Sequence, residues 1–495
     1  MNSVWLDFLF GVDTAHISES GLPGGTPLTE QEWIVNPFRL GSYRNFMVMY
    51  CSFVDGLDRG IRFPMIYILK TKYMLSQAVA FTAFGVSLTP WLAKPFIALV
   101  TDTIPLFGYK RRPYIIGSAV VNAVALGLIG YFCTSQIGGF LVPMSLMTLR
   151  TFCRGVTGSV IQGMLIEDCR GPQGIDEPVE QSRTSVLVSQ YHTAHRLGQF
   201  ISVAASGVLL SASHTDAIFV SMAAFHVGSI ALTLFLHEEA VSPQDSGSLS
   251  DIPEKYDELV EATIDQPEFT ALLGYAFLAM ANPTYEARMA YYLLDDRHMD
   301  VWAVSLVTTA QTVAATITPT IYSVFFQRSN LKPLLKTLTL WTVPASLLPL
   351  ILTTGISTSL GLDDTIVTAV SGFFLTLTTD LQMMPTNVLV AQLAKPGLEG
   401  SSYSVFTVTE GLGRVLSNLY SGIVPVMLGA AAWNNYANMS LYVVVSSVFQ
   451  LAPLASIKGF TSEIETVDRV MPIPKDSESV ITEDEALLSS RGVSA

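Results

Sequence analysis

The sequence predicts an all-α integral membrane protein with about twelve transmembrane helices in two parallel six-helix halves. Three observations carry that prediction. The chain has 495 residues, of which 50% are hydrophobic and only 14% charged, against about 25% charged in typical soluble domains; its mean hydropathy is +0.44. The apolar residues fall in continuous runs of about 20, enough to cross a bilayer, without the period-two alternation of an outer-membrane barrel. An ordered stretch also recurs at a constant offset of 215 residues, from Leu197 to Leu412.

The elements follow in order. Residues 1–42 form an N-terminal segment that lacks the basic start and long apolar run of a cleaved signal peptide. Six spans are expected near 45–69, 75–100, 114–134, 141–167, 185–211 and 217–237, in an N-terminal half of residues 43–237. Six more are expected near 268–294, 301–326, 334–354, 364–391, 402–428 and 436–457, in a C-terminal half of residues 268–457. Residues 238–267 link the halves. Within them Pro253 to Ile264 carries Tyr256, Leu259, Val260 and Ile264 at the spacing of one short amphipathic helix. Residues 458–495 form a tail.

Basic residues gather in alternate loops: Lys110, Arg111 and Arg112 after span two, Arg170 and Arg183 after span four, then Arg328, Lys332, Lys395 and Lys458. The opposite loops hold Lys70, Lys72 and Arg297. The positive-inside rule puts both termini and the linker in the cytoplasm. The Asn438-Met439-Ser440 sequon then faces outside, too close to span twelve for glycosylation to be expected.

The net charge of −14 is unevenly placed. Residues 238–268 hold 10 acids and one base, residues 461–495 hold 8 acids and 3 bases, and the remainder holds 23 of each sign. The acidity therefore belongs to the linker and tail. A disordered chain and a nucleic-acid partner are both excluded by this composition. Cys51, Cys133, Cys153 and Cys169 show no zinc or CxxC spacing, so no disulfide framework, metal or cofactor is expected. No Walker loop, dinucleotide fingerprint, HExxH or GxSxG occurs, which leaves an ATP-driven pump or an enzyme without a motif. The tail segment Glu483 to Leu488 resembles an acidic dileucine signal, with Leu487-Leu488 as the contact for a sorting adaptor.

The repeat pairs Leu197-Gly198-Gln199 and Ser202, Ser206-Gly207 of span five with Leu412-Gly413-Arg414 and Ser417, Ser421-Gly422 of span eleven. Small residues at this spacing let helices approach closely, and packing alone could select them. The ordered match in corresponding spans also fits paired halves with a site between them at the midplane.

Ionisable residues are costly in a bilayer, so each is a functional candidate. Asp55, Asp58, Arg59 and Arg62 share one face of span one, where Asp55–Arg59 and Asp58–Arg62 pairs would neutralise each other or contribute to a pathway. Arg150 and Arg154 in span four have no acid nearby in their own helix and need acids elsewhere or an anionic ligand. Span five carries His192, His195, Arg196 and Gln199 on one face; span eleven carries Glu410, Arg414 and Asn418. Across the repeat, His195 matches Glu410 and Gln199 matches Arg414. Arg150, Arg154, His195, Arg196, Gln199, Arg414 and Asn418 are thus candidate substrate-binding residues, with structural pairing between helices as the alternative. Asp55, Asp58, Glu286, Asp380 and Glu410 are candidate coupling carboxylates, since burial lets a carboxylate titrate. Asn282-Pro283 and Met384-Pro385 are expected kinks.

One stretch is more specific. Pro90-Trp91, Lys94-Pro95, Asp102, Pro105 and Gly108-Tyr109-Lys110-Arg111-Arg112 resemble the signature of the folate–biopterin transporter family, a branch related to the major facilitator superfamily. Met384-Pro385, Val388-Leu389, Ala391, Leu393, Pro396-Gly397 and Glu399-Gly400 resemble that family's span-ten end and following loop. The resemblance covers about residues 40–457. Ala98 stands where the family tends to have Gly, and Gly158 and Gln162 stand where span four of the family usually carries two aspartates before a glutamate. Physically, Asp102 facing Lys110–Arg112 and helix ends can latch the halves in one conformation, so Lys94, Asp102, Lys110, Arg111 and Arg112 form an expected gating motif.

The resemblance implies a major-facilitator-like secondary transporter of folate or pteridine (biopterin) substrates, working by alternating access with protons as the candidate coupling ion. Its partners are then the lipid bilayer and a small-molecule substrate. Carriage of another metabolite, such as S-adenosylmethionine or a different organic anion, is the alternative within transport. A transporter-like membrane receptor and an integral membrane enzyme are the alternatives outside it. The plasma membrane is the expected address, with an endosomal or vacuolar membrane as the alternative.

Overall fold

The computed structural model describes residues 43–457, apart from 62–63, 66–67, 70–71, 76–82, 84, 171–176, 212–214, 242–247, 286–288, 290–291, 300, 328 and 429–437. Arg62, Glu286 and Leu487-Leu488 lie outside the described residues, as does the side chain of Asn418.

The described chain is helical. In the N-terminal half, span one contains Tyr43–Gly60, and span two ends as a 3₁₀ turn Thr89–Ala93 running into Lys94–Thr103. Arg112–Ser135, Leu141–Arg170, Glu177–Ser211 and Thr215–Leu234 follow as spans three to six. The linker helix is Ile252–Thr263, one residue from its expected bounds. In the C-terminal half, span seven begins as Pro267–Met280 and loses helical form at Asn282-Pro283, where a kink was expected. Span ten, Asp364–Leu393, stays continuous through Pro385. There the side chains of Thr386 and Asn387 donate to the Met383 carbonyl, at 2.6 and 2.8 Å. Val301–Phe325, Leu331–Leu347, Glu399–Met427 and Met439–Phe449 complete the half.

Local chemistry sets the helix ends. Pro113, Pro253 and Pro267 each occupy a first turn, where the missing N–H costs nothing. Asp363 caps span ten by accepting from the N–H groups of Thr365 and Ile366, at 2.8 and 3.2 Å. These bonds hold its exposed carboxyl below the usual range. Phe107 and Gly108 take φ of 54° and 81°, forming a tight hairpin closed by Leu106 and Tyr109. Gly108 is the residue that adopts this geometry at no steric cost.

Among the described residues, five helices are long and apolar enough to cross a membrane on composition alone: Arg112–Ser135, Asp216–Leu234, Leu331–Thr353, Asp364–Leu393 and Met439–Ile457. Spans one, four and five carry more charge, among it the buried Asp58 and Arg150 and the half-buried Arg196, which dilutes their hydropathy.

The repeat is a packing device in both halves. Gly198 lies against the Phe53 carbonyl of span one, and Gly56 against the His195 carbonyl of span five. Gly413, at the equivalent place in span eleven, lies against span seven, where a β-carbon would sit 2.8 Å from the Met280 β-carbon. Ser417 donates to the Asn282 carbonyl, and Ser421 accepts from the Thr284 N–H at 2.9 Å.

Hydrogen bonds between the halves cluster at the end bearing the basic loops. Asp102 accepts from the N–H and hydroxyl of Ser401 at 2.8 and 2.7 Å. Arg170 pairs with Glu399, and Gln181 and Ser185 donate to the carbonyls of Ser329 and Gln327. At this end the halves are closed against each other.

Candidate functional site

A cavity lies above this closed end, between the halves. Asp55, Arg59, Trp91, Gln162, His195 and Arg196 wall it from the N-terminal half, and Asp380, Asn387, Glu410 and Arg414 from the other. The space between these walls is about 1070 Å³, counting the part open to solvent.

Helix periodicity presents these side chains. Asp55 and Arg59 stand one turn apart on span one, as do Glu410 and Arg414 on span eleven. The packing of Gly198 on span one and of Gly413 on span seven sets how closely those helices approach. Lys94 is fully buried just behind the wall. Its ammonium donates to Gln162 at 2.6 Å and Thr407 at 3.1 Å, and lies 4.7 Å over the Trp91 ring.

The pairing differs from expectation. Asp55 binds Arg154, through Nε at 2.9 Å and Nη2 at 2.7 Å, rather than Arg59. Asp58 binds Arg150 at 2.6 Å, with His226 at 3.2 Å. Spacing along span one suggested partners one turn away, but a facing helix offers guanidinium groups without bending either side chain back along its own axis. Arg150 and Arg154 are therefore neutralised by acids of span one, and neither lines the cavity. Gln199 also stands off the cavity wall, 3.4 Å from Arg196. His195, Arg196 and Arg414 do line it, together with Asp55, Asp380 and Glu410. Arg196 pairs with Asp380 across the halves at 2.7 Å.

The expected gating motif divides in two. Asp102 and Arg111 meet at 2.9 Å, Arg111 also binds Glu167, and Arg44 joins Glu167 to Asp168. Asp102 thereby ties this cluster to Ser401, in the first turn of span eleven, where a helix N-terminus favours a carboxylate. Lys110 and Arg112 contribute differently. Their backbone N–H groups donate to Glu238, each at 2.9 Å, fixing the start of span three to the linker. Lys94 belongs to the cavity and not to this network. Sequence reasoning missed His226 and Trp91 as site neighbours. The ionisable residue at the middle of apolar span six was the signal for the first, and the Pro90-Trp91 motif for the second.

Two helical halves with a polar cavity between them, closed at one end, make a major-facilitator-type fold. The fold of human organic anion transporter MFSD10 (TETRAN) is similar, at a TM-score of 0.58 and 14% identity over 83% of this chain and 98% of that one. That of FucP in its outward conformation is similar at 0.61 and 11%, over 87% and 99%. Residues 55–470 match the BT1 family, and the chain belongs to that family. Folate transporter 2 of Plasmodium falciparum is 22% identical over 85% of this chain and 89% of its own length. The folate-biopterin transporter of Synechocystis is 24% identical over 83% and 81%. Family and fold indicate a multi-pass membrane transporter rather than an enzyme.

Proposed function

We propose that this protein is a secondary transporter of folate- and pteridine-type substrates. The observation that carries the reading is a charged cavity between two repeat-related halves in a BT1-family chain. In this reading residues 43–237 rock against residues 268–457 about the cavity. The cytoplasmic opening requires the Asp102–Ser401 and Arg170–Glu399 contacts to break. His195, Arg196 and Arg414 contact substrate, while Arg150 and Arg154 hold spans one and four in register. Glu410, the cavity acid with no ion pair among the described residues, is the proposed coupling carboxylate. The proposed address is the plasma membrane, tested by imaging a fluorescent fusion with and without Leu487→Ala and Leu488→Ala.

The test of function is uptake of labelled folate, biopterin and S-adenosylmethionine into a transport-deficient cell, from mildly acidic to neutral pH. Saturable folate or pteridine uptake that rises with acidity supports both substrate and coupling. Uptake of S-adenosylmethionine alone overturns the substrate, and pH-independent uptake overturns proton coupling.

A further inference from the structure

The cavity does not balance its own charge. Asp55 is neutralised by Arg154, Asp58 by Arg150, and Arg196 by Asp380. What remains is Arg59 on span one, Arg414 on span eleven and Lys94 behind the wall, facing one further acid, Glu410. Among the described residues none of these three cations has a carboxylate within ion-pair distance. Among the described residues the formal excess is two positive charges.

Lys94 shows where a counter-ion is lacking. Its ammonium meets the neutral side chains of Gln162 and Thr407. A β-carbon at Gly158 would lie 3.9 Å from Lys94 Nζ, so a carboxylate at position 158 or 162 would pair with it directly. The chain has neither. A charge enclosed by protein without a partner is strongly unfavourable, so a ligand that supplies the missing charge gains from that compensation.

Arg59 and Arg414 have the geometry to receive such a ligand. Both are accessible to the cavity, and they come from opposite halves. Two guanidinium groups facing one cavity repel each other. A carboxylate at each turns that repulsion into attraction across the interface of the halves, and a guanidinium fork matches a planar carboxylate.

We infer that the cavity selects a ligand bearing two carboxylates, held by Arg59 and Arg414, over pteridines that bear none. This rests on the folate–pteridine reading and narrows it to its dianionic members.

The test is equilibrium binding to the purified full-length protein in lipid nanodiscs. The probes are p-aminobenzoylglutamate (two carboxylates, no pterin), biopterin (pterin, no carboxylate) and glutarate (two carboxylates only). The dianion p-aminobenzoylglutamate is expected to bind more tightly than biopterin. Arg59→Gln and Arg414→Gln should each weaken it by about 10- to 100-fold, the loss of one charge-assisted pair, and weaken biopterin by less. Gln162→Glu, which keeps both arginines and supplies Lys94 with a counter-ion, should weaken dianion binding in the same direction. It carries the test if an arginine variant does not fold. Biopterin binding as tightly as the dianion, arginine variants that bind the dianion normally, or no binding of either dianion would overturn the inference. Binding of biopterin alone would leave the folate–pteridine reading standing. Binding of glutarate alone would uphold the dianion site and overturn that reading.

Discussion

Arg150→Met removes one member of the most enclosed ion pair in the N-terminal half. Arg150 and Asp58 are each 2% exposed and their atoms meet at 2.6 Å. Without the guanidinium, Asp58 keeps His226 at 3.2 Å and Arg154 at 3.6 Å. Breaking a buried pair on one side typically costs about 3–5 kcal/mol, because the remaining charge stays buried. The residual partners place this case near about 3 kcal/mol. Replacing both members with apolar residues is often close to neutral, so Arg150→Met with Asp58→Leu should recover most of the loss. Thermal unfolding of the purified single and double variants measures this, and labelled-folate uptake measures function. A double variant as unstable as the single one would refute charge compensation as the role of Arg150. A stable double variant with abolished substrate binding would instead return Arg150 to the substrate site.

Other outcomes follow from the same geometry. Asp102→Asn removes the charge that draws together Arg111 and the first turn of span eleven, and should open the cytoplasmic end. Faster labelling of a Ser404→Cys reporter from the cytoplasmic side would show it, and an unchanged rate would oppose it. Gly413→Val adds a β-carbon 2.8 Å from that of Met280. It should destabilise by about 1–3 kcal/mol through overpacking, read as a lower unfolding temperature. In the linker, Lys255 and then Lys395 hold the Glu258 carboxyl below its usual range. That contact is present above the ordinary glutamate range and is lost as pH falls through the lowered value. Because the pair is partly exposed to solvent, which screens it, Glu258→Gln should shift stability by no more than about 1 kcal/mol.

Periodicity and hydropathy alone reach most of the fold. Span limits, the linker helix and the break at Asn282-Pro283 all follow from local composition, because each depends on residues a turn or two apart. The offset between Leu197 and Leu412 leads to the paired halves, and its physical content is the close approach of Gly198 and Gly413 to spans one and seven. The site is less legible. Which acid pairs with Arg150 depends on how spans one and four face each other, and helix spacing within span one points to Arg62 for Asp58 instead. Lys94 reads as part of a cytoplasmic motif because it stands close to Asp102 in the chain. The roughly two intervening turns of helix carry it to the cavity, where Gln162 and Thr407 receive it. His226 reaches Asp58 from span six through a packing that no local pattern encodes.

The central claim is that this chain alone carries a folate-type substrate across a bilayer through the cavity between its halves. Reconstitution of the purified protein into liposomes, with labelled folate outside, tests it most directly. The account predicts saturable accumulation that is lost when Arg414 is replaced by Gln. Folded, reconstituted protein that accumulates no folate above empty liposomes would contradict it.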